Sequence, residues 1–169
     1  MLQPAAGFWG HEADDRAMIV TMQVIQARLF DRLRALDGAT YSPTAGSDFS
    51  SDLVGYGTAA IPIAAPPAKI DGVRDGVRTI IADLAANPIN DDELIRAKQP
   101  LLEQRLRDRE ANGYWFGALE NSVRNPQHLQ MIRERVTALQ AITAADVRRV
   151  CHLYLMAHQL ILIVRSTIH

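Results

Sequence analysis

A long run of regularly spaced apolar residues near the start of the chain is the feature that most restricts its fold. From about Ala13 the apolar positions advance by three or four residues at a time, which is the period of an α-helix. The members of this stripe are Met18, Met22, Ile25, Leu29, Leu33 and Leu36. A second stripe of Val20, Val24 and Ala27 runs beside it, and so wide an apolar face is typical of a helix pressed between a sheet and another layer.

Gly38 is the predicted stop of this helix, because glycine adopts the left-handed backbone that ends many helices at almost no cost. The helix should therefore end near Leu36 or Asp37, with Arg34 in its last turn and Tyr41 just beyond the bend. These two hydrogen-bonding side chains form a candidate functional site. Spacing alone leaves an ordinary alternative open, in which Arg34 satisfies carbonyls at the helix end and Tyr41 opens a strand.

Length and charge exclude several classes of protein. A chain of 169 residues fits one domain, here taken as residues 1–169, with a core of its own. Its 18 basic and 19 acidic residues give a net charge of -1, so no nucleic-acid or anionic-membrane surface is expected. Because Cys151 is the only cysteine, it cannot form an intrachain disulfide and is predicted to be a small core residue.

The sequence contains no apolar run of transmembrane length and no secretion-type leader in Met1 to Gly10. We expect a soluble protein without membrane contact. A bacterial-type periplasm and the cytoplasm both stay open as compartments.

The segments after Gly38 are typical of a small antiparallel sheet. Tyr41 to Ser51 and Leu53 to Ala64 are predicted to form two antiparallel strands that turn near Asp52. The short apolar segment Gln3 to Trp9 is interpreted as the end of another strand that begins before this chain. Gln159 to Arg165 is predicted to be a last strand, and its continuous apolar run indicates burial on both faces.

The region between these strands reads as a series of helices. The first runs from Ile70 to Ala86 and stops at Asn87-Pro88; the second begins with Asn90 and Glu93 in a capping-box arrangement and is kinked, not ended, at Pro100. A short helix then opens at Gly113, with its aromatic residues predicted to lie in the core. Two more complete the series, one over Leu129 to Leu139 and one capped by Thr143 and Asp146. The predicted fold class is α+β, with one antiparallel-rich sheet and several helices packed on it.

Five sequence pieces in this order resemble a zinc-free domain of the pitrilysin/insulinase family of zinc metallopeptidases. They are Leu33-Arg34, the segment Gly38 to Pro43, the segment Asn90 to Lys98, the segment Asn112 to Trp115, and the segment Ile142 to Val147. The resemblance extends from about Phe8 to Val164 and is to a C-terminal, non-metal-binding domain. Because such a domain would have strand sequence before Phe8, the chain is expected to be a fragment of a longer protein.

The resemblance implies a function as well as a fold. Members of this family look like clamshells, in which one half carries zinc on an inverted His-x-x-Glu-His helix and the other half closes over the peptide. The closing half supplies an Arg and a Tyr, spaced as Arg34 and Tyr41 are, that donate hydrogen bonds to the substrate backbone. The implied function is the substrate-binding, non-catalytic part of a zinc-dependent metalloendopeptidase, with a peptide substrate and a zinc-bearing N-terminal half as partners. The alternative is a structural or docking subunit of the same fold.

The histidines do not form a zinc site in the sequence. His-x-x-Glu-His is absent, and no two of the five histidines stand four apart as two ligands on one helix would. The stretch that begins His11-Glu12 has Asp15 where a second ligand would belong. We therefore expect no metal and no catalytic residue in this chain, with zinc in the missing catalytic half. If a first strand is truncated, its unpaired neighbour predicts self-association through a sheet edge.

Overall fold

The computed structural model describes residues 5–7, 12–37, 43–49, 56–124, 128–156 and 160–164. Helix α1, Glu12–Asp37, runs through the middle of the protein. The predicted stripe is its buried face, since Met18, Ile25 and Leu29 are fully buried and Leu33 is nearly so. The predicted helix end is confirmed, whereas Gly38 itself lies outside the described residues.

A small antiparallel sheet lies beside α1. Its strands are β1 (Ala5–Gly7), β2 (Gly46–Phe49) and β3 (Gly57–Ala60), in the order β1-β3-β2. Ala59 of β3 is paired with Ala5 on one side and Ser47 on the other. The antiparallel pairing predicted for the two segments after Gly38 is confirmed, although the turn near Asp52 is outside the described residues. The strand interpretation of the N-terminal segment is confirmed by β1.

All of the predicted helices are present. They are α2 (Ile70–Ala86), α3 (Asp91–Asp108), α4 (Asn112–Arg124), α5 (His128–Ala141) and α6 (Ala144–Val150), the last continuing into a π-helical turn, Cys151–Leu155. Helices α2, α3 and α6 pack directly on α1, and the buried residues of these elements form one core. The α+β fold class, with an antiparallel sheet and several helices packed on it, is confirmed.

The predicted N-cap residues are confirmed at two helix starts, although the capping box predicted for Asn90 and Glu93 is only half formed. The Asn90 side chain accepts a hydrogen bond from the Glu93 backbone N–H at 2.8 Å, which caps α3. Thr143 and Asp146 form a complete capping box at the start of α6. Pro100 lies inside α3, as predicted, because the helix continues to Asp108.

The predicted last strand is wrong where the structure describes it. Residues 160–164 belong to no strand, and Leu160, Ile163 and Val164 are 52%, 41% and 66% exposed. A run of β-branched residues becomes a strand only when a sheet edge pairs with it, because its preference reflects packing on neighbouring strands more than the backbone itself. The sheet of the described residues contains β1, β3 and β2 only.

The aromatic residues of α4 are also not in the core. Phe116 is 71% exposed and Trp115 41% exposed, although Trp115 donates a hydrogen bond from Nε1 to the Arg109 carbonyl at 2.8 Å. These rings are exposed because α4 packs mainly on α5, which leaves the other side of α4 uncovered. Among the described residues, no helix is both long enough and apolar enough to cross a bilayer.

Candidate functional site

Three arginines stand in the C-terminal half of α1, and their side chains have different surroundings. Arg28 is bound to both neighbouring helices: Nε and Nη2 donate to the two Glu93 carboxylate oxygens at 2.6 and 2.9 Å, and Nη1 donates to Asp83 at 2.6 Å. The hydrogen bond to Glu93 is the main reason that the pKa of Arg28 is raised. All three helices are joined at this guanidinium, so Arg28 has a structural role.

Arg32 lies against α2 at Gly76, which has no side chain. A β-carbon placed on the buried Gly76 would be 2.9 Å from Arg32 Nε, which is closer than ordinary van der Waals contact. The absence of a side chain at Gly76 therefore makes room for the Arg32 side chain, which is itself exposed.

Arg34, the predicted site residue, is exposed in the last turn of α1. Its Cζ atom lies 4.4 Å from the centroid of the Phe30 ring, and the ring itself is 42% exposed. Among the described residues, no carboxylate forms an ion pair with Arg34 and no carbonyl accepts a hydrogen bond from it. The ordinary helix-end role, donation to free carbonyls, is thus not observed in this part of the chain.

Tyr41 lies outside the described residues, so its proximity to Arg34 stays a prediction. The structure does describe the chain just beyond it, where Pro43 and Ala45 are buried. The Ala45 backbone N–H donates to Gln26 Oε1 at 3.0 Å. This hydrogen bond attaches the segment that leads into β2 to α1. The attachment is at Gln26, one helical turn before Phe30.

Sequence reasoning missed Phe30 as a member of this site. The signal was present in the sequence, because residues four apart on a helix are neighbours on its surface and an aromatic ring attracts a guanidinium. Phe30 lies outside the buried stripe, so the apolar periodicity does not single it out.

A second cluster of polar groups joins the start of α1 to the end of the chain's helical region. Asp14 is only 6% exposed, and it accepts hydrogen bonds from Tyr154 Oη and pairs with Arg149 Nη1, both at 2.6 Å. Burial, followed by the hydrogen bond to Asp14, raises the pKa of Tyr154 to about 12. The buried charge is compensated, so this cluster stabilises the packing of α6 on α1.

Metal-binding and thiol chemistry have no support in the described part of the chain. No group of three or more His, Cys, Asp or Glu side chains there is arranged to hold a metal ion. Cys151 is buried, its thiol donates to the Ile81 carbonyl at 3.3 Å, and burial raises its pKa to about 12. The thiol is therefore protonated near neutral pH and is a poor nucleophile and metal ligand.

Residues 3–101 match a family model described as the peptidase M16 inactive domain. The match spans both Arg34 and Tyr41, the two predicted site residues. Comparison with the sequences of curated proteins gives no match.

The chain is also similar in structure to solved proteins. It covers 84% of an inactive peptidase domain from Bordetella parapertussis, with 90% of this chain aligned, 14% identity and a TM-score of 0.71. For the periplasmic protease PqqL from Escherichia coli, 86% of this chain aligns with 16% of that protein, at 14% identity and a TM-score of 0.67. For pitrilysin, 88% of this chain aligns with 16% of that protein, at 17% identity and a TM-score of 0.57. Identities this low establish the fold alone, and the chain spans a minor part of the two larger proteins.

Proposed function

Since the chain belongs to the peptidase M16 family, where its matched part is the inactive domain, we propose that it holds the peptide substrate for a zinc-bearing half. Membership of this family confirms the resemblance to pitrilysin-type metallopeptidases that the sequence indicated. An inactive domain is the non-catalytic part of such a protein. The hydrolysis of peptide bonds and the zinc belong, in this proposal, to another half of the complete protein.

The observation that supports the proposal is the exposed side chain of Arg34. No described residue uses its N–H donors, and the proposal assigns these donors to the carbonyl groups of an extended peptide. Zinc in the other half would polarise the scissile carbonyl and activate water. Arg34, together with Tyr41, would hold the peptide backbone in the geometry that this reaction needs.

Replacement of Arg34 in the complete protein, zinc-bearing half included, tests the proposal. We expect Arg34→Ala to lower kcat/KM for internally quenched peptides by about 30- to 1,000-fold, the loss of roughly 2–4 kcal/mol seen when one preorganised donor is removed. Zinc content should not change, because Arg34 is not a metal ligand in this proposal.

Arg32→Ala is the matched control, because it removes the same side chain from the same helix two residues away. It should leave kcat/KM unchanged per folded molecule, since Arg32 lies against Gly76. If Arg34→Ala instead lowers only the melting temperature and leaves kcat/KM intact, the substrate-binding role is wrong.

A structural or docking role is the second candidate, and the exposed side of α4 favours it. Phe116, Leu119 and Val123 are 71%, 57% and 84% exposed on one side of this helix. Contiguous apolar side chains such as these commonly contact another protein. An assay of peptide hydrolysis by the complete, zinc-loaded protein distinguishes the two functions. Zinc-dependent hydrolysis supports the substrate-binding role, and the absence of hydrolysis supports the structural or docking role.

A further inference from the structure

We propose that Phe30 is a positioning residue for Arg34, whose guanidinium it holds in place through the ring face without using any of its N–H groups. The inference rests on the proposed function and adds to it a residue that does not itself bind the peptide backbone. The observation behind it is the 4.4 Å separation between Arg34 Cζ and the centroid of the Phe30 ring.

The geometry follows from the helix. Phe30 and Arg34 are one turn apart on α1, so their side chains meet on the same face. A guanidinium has its five N–H donors in its own plane. Contact through its face therefore orients the group without consuming a donor, whereas an ion pair with a carboxylate would occupy two of them.

Among the side chains that the structure describes, no carboxylate near this end of α1 competes for Arg34. Asp31, three residues before it, forms no ion pair with it, and the carboxylates of Asp83 and Glu93 are bound by Arg28. Within the described residues, the Phe30 ring is thus the contact that orients the Arg34 guanidinium.

Orientation before binding matters because an arginine side chain has many rotamers. A free side chain loses this freedom when it binds substrate, which weakens binding. The ring restricts the side chain beforehand, so less freedom is lost when the peptide arrives.

A purely structural role for Phe30 is a poor alternative. The ring is 42% exposed and is not part of the buried core. Its replacement by leucine, which keeps an apolar side chain of helix-forming type, should therefore leave the fold intact.

The test uses the complete protein with its zinc-bearing half and internally quenched peptides as the probe. We expect Phe30→Leu to lower kcat/KM by about 2- to 5-fold, as the loss of one exposed cation–π contact predicts. Phe30→Tyr keeps the ring face and should restore the wild-type value. Both variants should keep the zinc content, and rates are compared per folded molecule so that any change in melting temperature is separated from catalysis.

A double-variant cycle shows whether Phe30 acts through Arg34. In an Arg34→Ala background, Phe30→Leu should cause no further loss. An equal loss in both backgrounds, or no loss from Phe30→Leu in the wild type while Arg34→Ala is defective, overturns this inference alone. No loss from Arg34→Ala overturns the proposed function and this inference with it.

Discussion

Arg28 binds the carboxylate of Glu93 through two hydrogen bonds, one from Nε at 2.6 Å and one from Nη2 at 2.9 Å. The sequence predicted that Glu93 would complete a capping box with Asn90. The Glu93 backbone N–H does donate a hydrogen bond to the Asn90 side chain. The Glu93 carboxylate, however, binds Arg28 of α1 instead of completing the box. Asn90 thus caps α3, and Glu93 fixes the start of α3 to the helix that carries Phe30 and Arg34.

Loss of Arg28 should destabilise the protein. Arg28→Met keeps the length of the side chain but leaves the partly buried Glu93 carboxylate without its partner, so we expect the free energy of unfolding to fall by about 2 kcal/mol. Urea unfolding monitored by circular dichroism measures this change. Arg32→Met, on the same helix but without an ion pair in the described residues, should cost much less, and an equal cost would show that the Glu93 contact contributes nothing.

Tyr41→Phe tests the second predicted donor of the site. Removal of the single hydroxyl should lower kcat/KM of the complete protein by about 2–4 kcal/mol in transition-state stabilisation, with the zinc content unchanged. Tyr154→Phe is the matched control, since its hydroxyl binds the buried Asp14. That variant should lower the melting temperature and leave kcat/KM per folded molecule intact. Unchanged kcat/KM in Tyr41→Phe would remove Tyr41 from the site.

Two glycines in helices should respond differently to alanine. At Gly117 of α4 a β-carbon has no neighbour within 4 Å, so Gly117→Ala should raise the free energy of unfolding by about 0.5–1 kcal/mol through helix propensity. At Gly76 the same gain is opposed by the approach to Arg32 Nε at 2.9 Å. Chemical unfolding of the two variants should therefore show a smaller gain, or a loss, for Gly76→Ala; identical gains would mean that Arg32 moves aside freely.

Stability should fall in acid because two aspartates have lowered pKa values. At Asp83 the hydrogen bond from Asn87 and then that from Arg28 lower the pKa. At Asp146 burial raises the pKa, but hydrogen bonds from Thr143 and the charge of Arg149 outweigh it, and the net shift is downward.

A lowered native pKa means that the unfolded chain binds protons first as the pH falls. The stabilisation by these aspartates is complete above the unfolded pKa of about 4 and is lost as the pH falls through the lower native values. Asp146→Asn should be less stable than the wild type at pH 7 and should show a shallower decline of melting temperature between about pH 5 and pH 2. A decline as steep as that of the wild type would show that Asp146 does not contribute.

The chain by itself should not bind zinc at a site of catalytic type, because such a site needs three protein ligands around one open position. Protein stripped by a chelator, reloaded with zinc and desalted should contain less than one equivalent by metal analysis. One equivalent held at sub-micromolar affinity would contradict the assignment of zinc to another half of the protein.

The sequence by itself determined the helices, the N-cap residues Asn90 and Thr143, and the end of α1. These features depend on residues a few positions apart, such as the stripe from Met18 to Leu33 and the Thr143–Asp146 box, and so they are present in the linear pattern. The position of Arg34 at the helix end was readable for the same reason. Its contact with Phe30 is equally local, although exposed residues carry no periodic signal that singles them out.

Only the tertiary structure decided which other element each helix face or chain segment contacts. Glu93 could have capped α3, but a guanidinium from α1, distant in sequence, offers its side chain a charged partner. Phe116 has a core-like sequence environment and residues 160–164 a strand-like one, yet Phe116 and all of residues 160–164 except Ile161 are exposed. Burial requires a neighbouring helix or a strand edge that local sequence does not specify. Local patterns fix which elements form, whereas contacts between residues far apart in the chain fix which of their faces are covered.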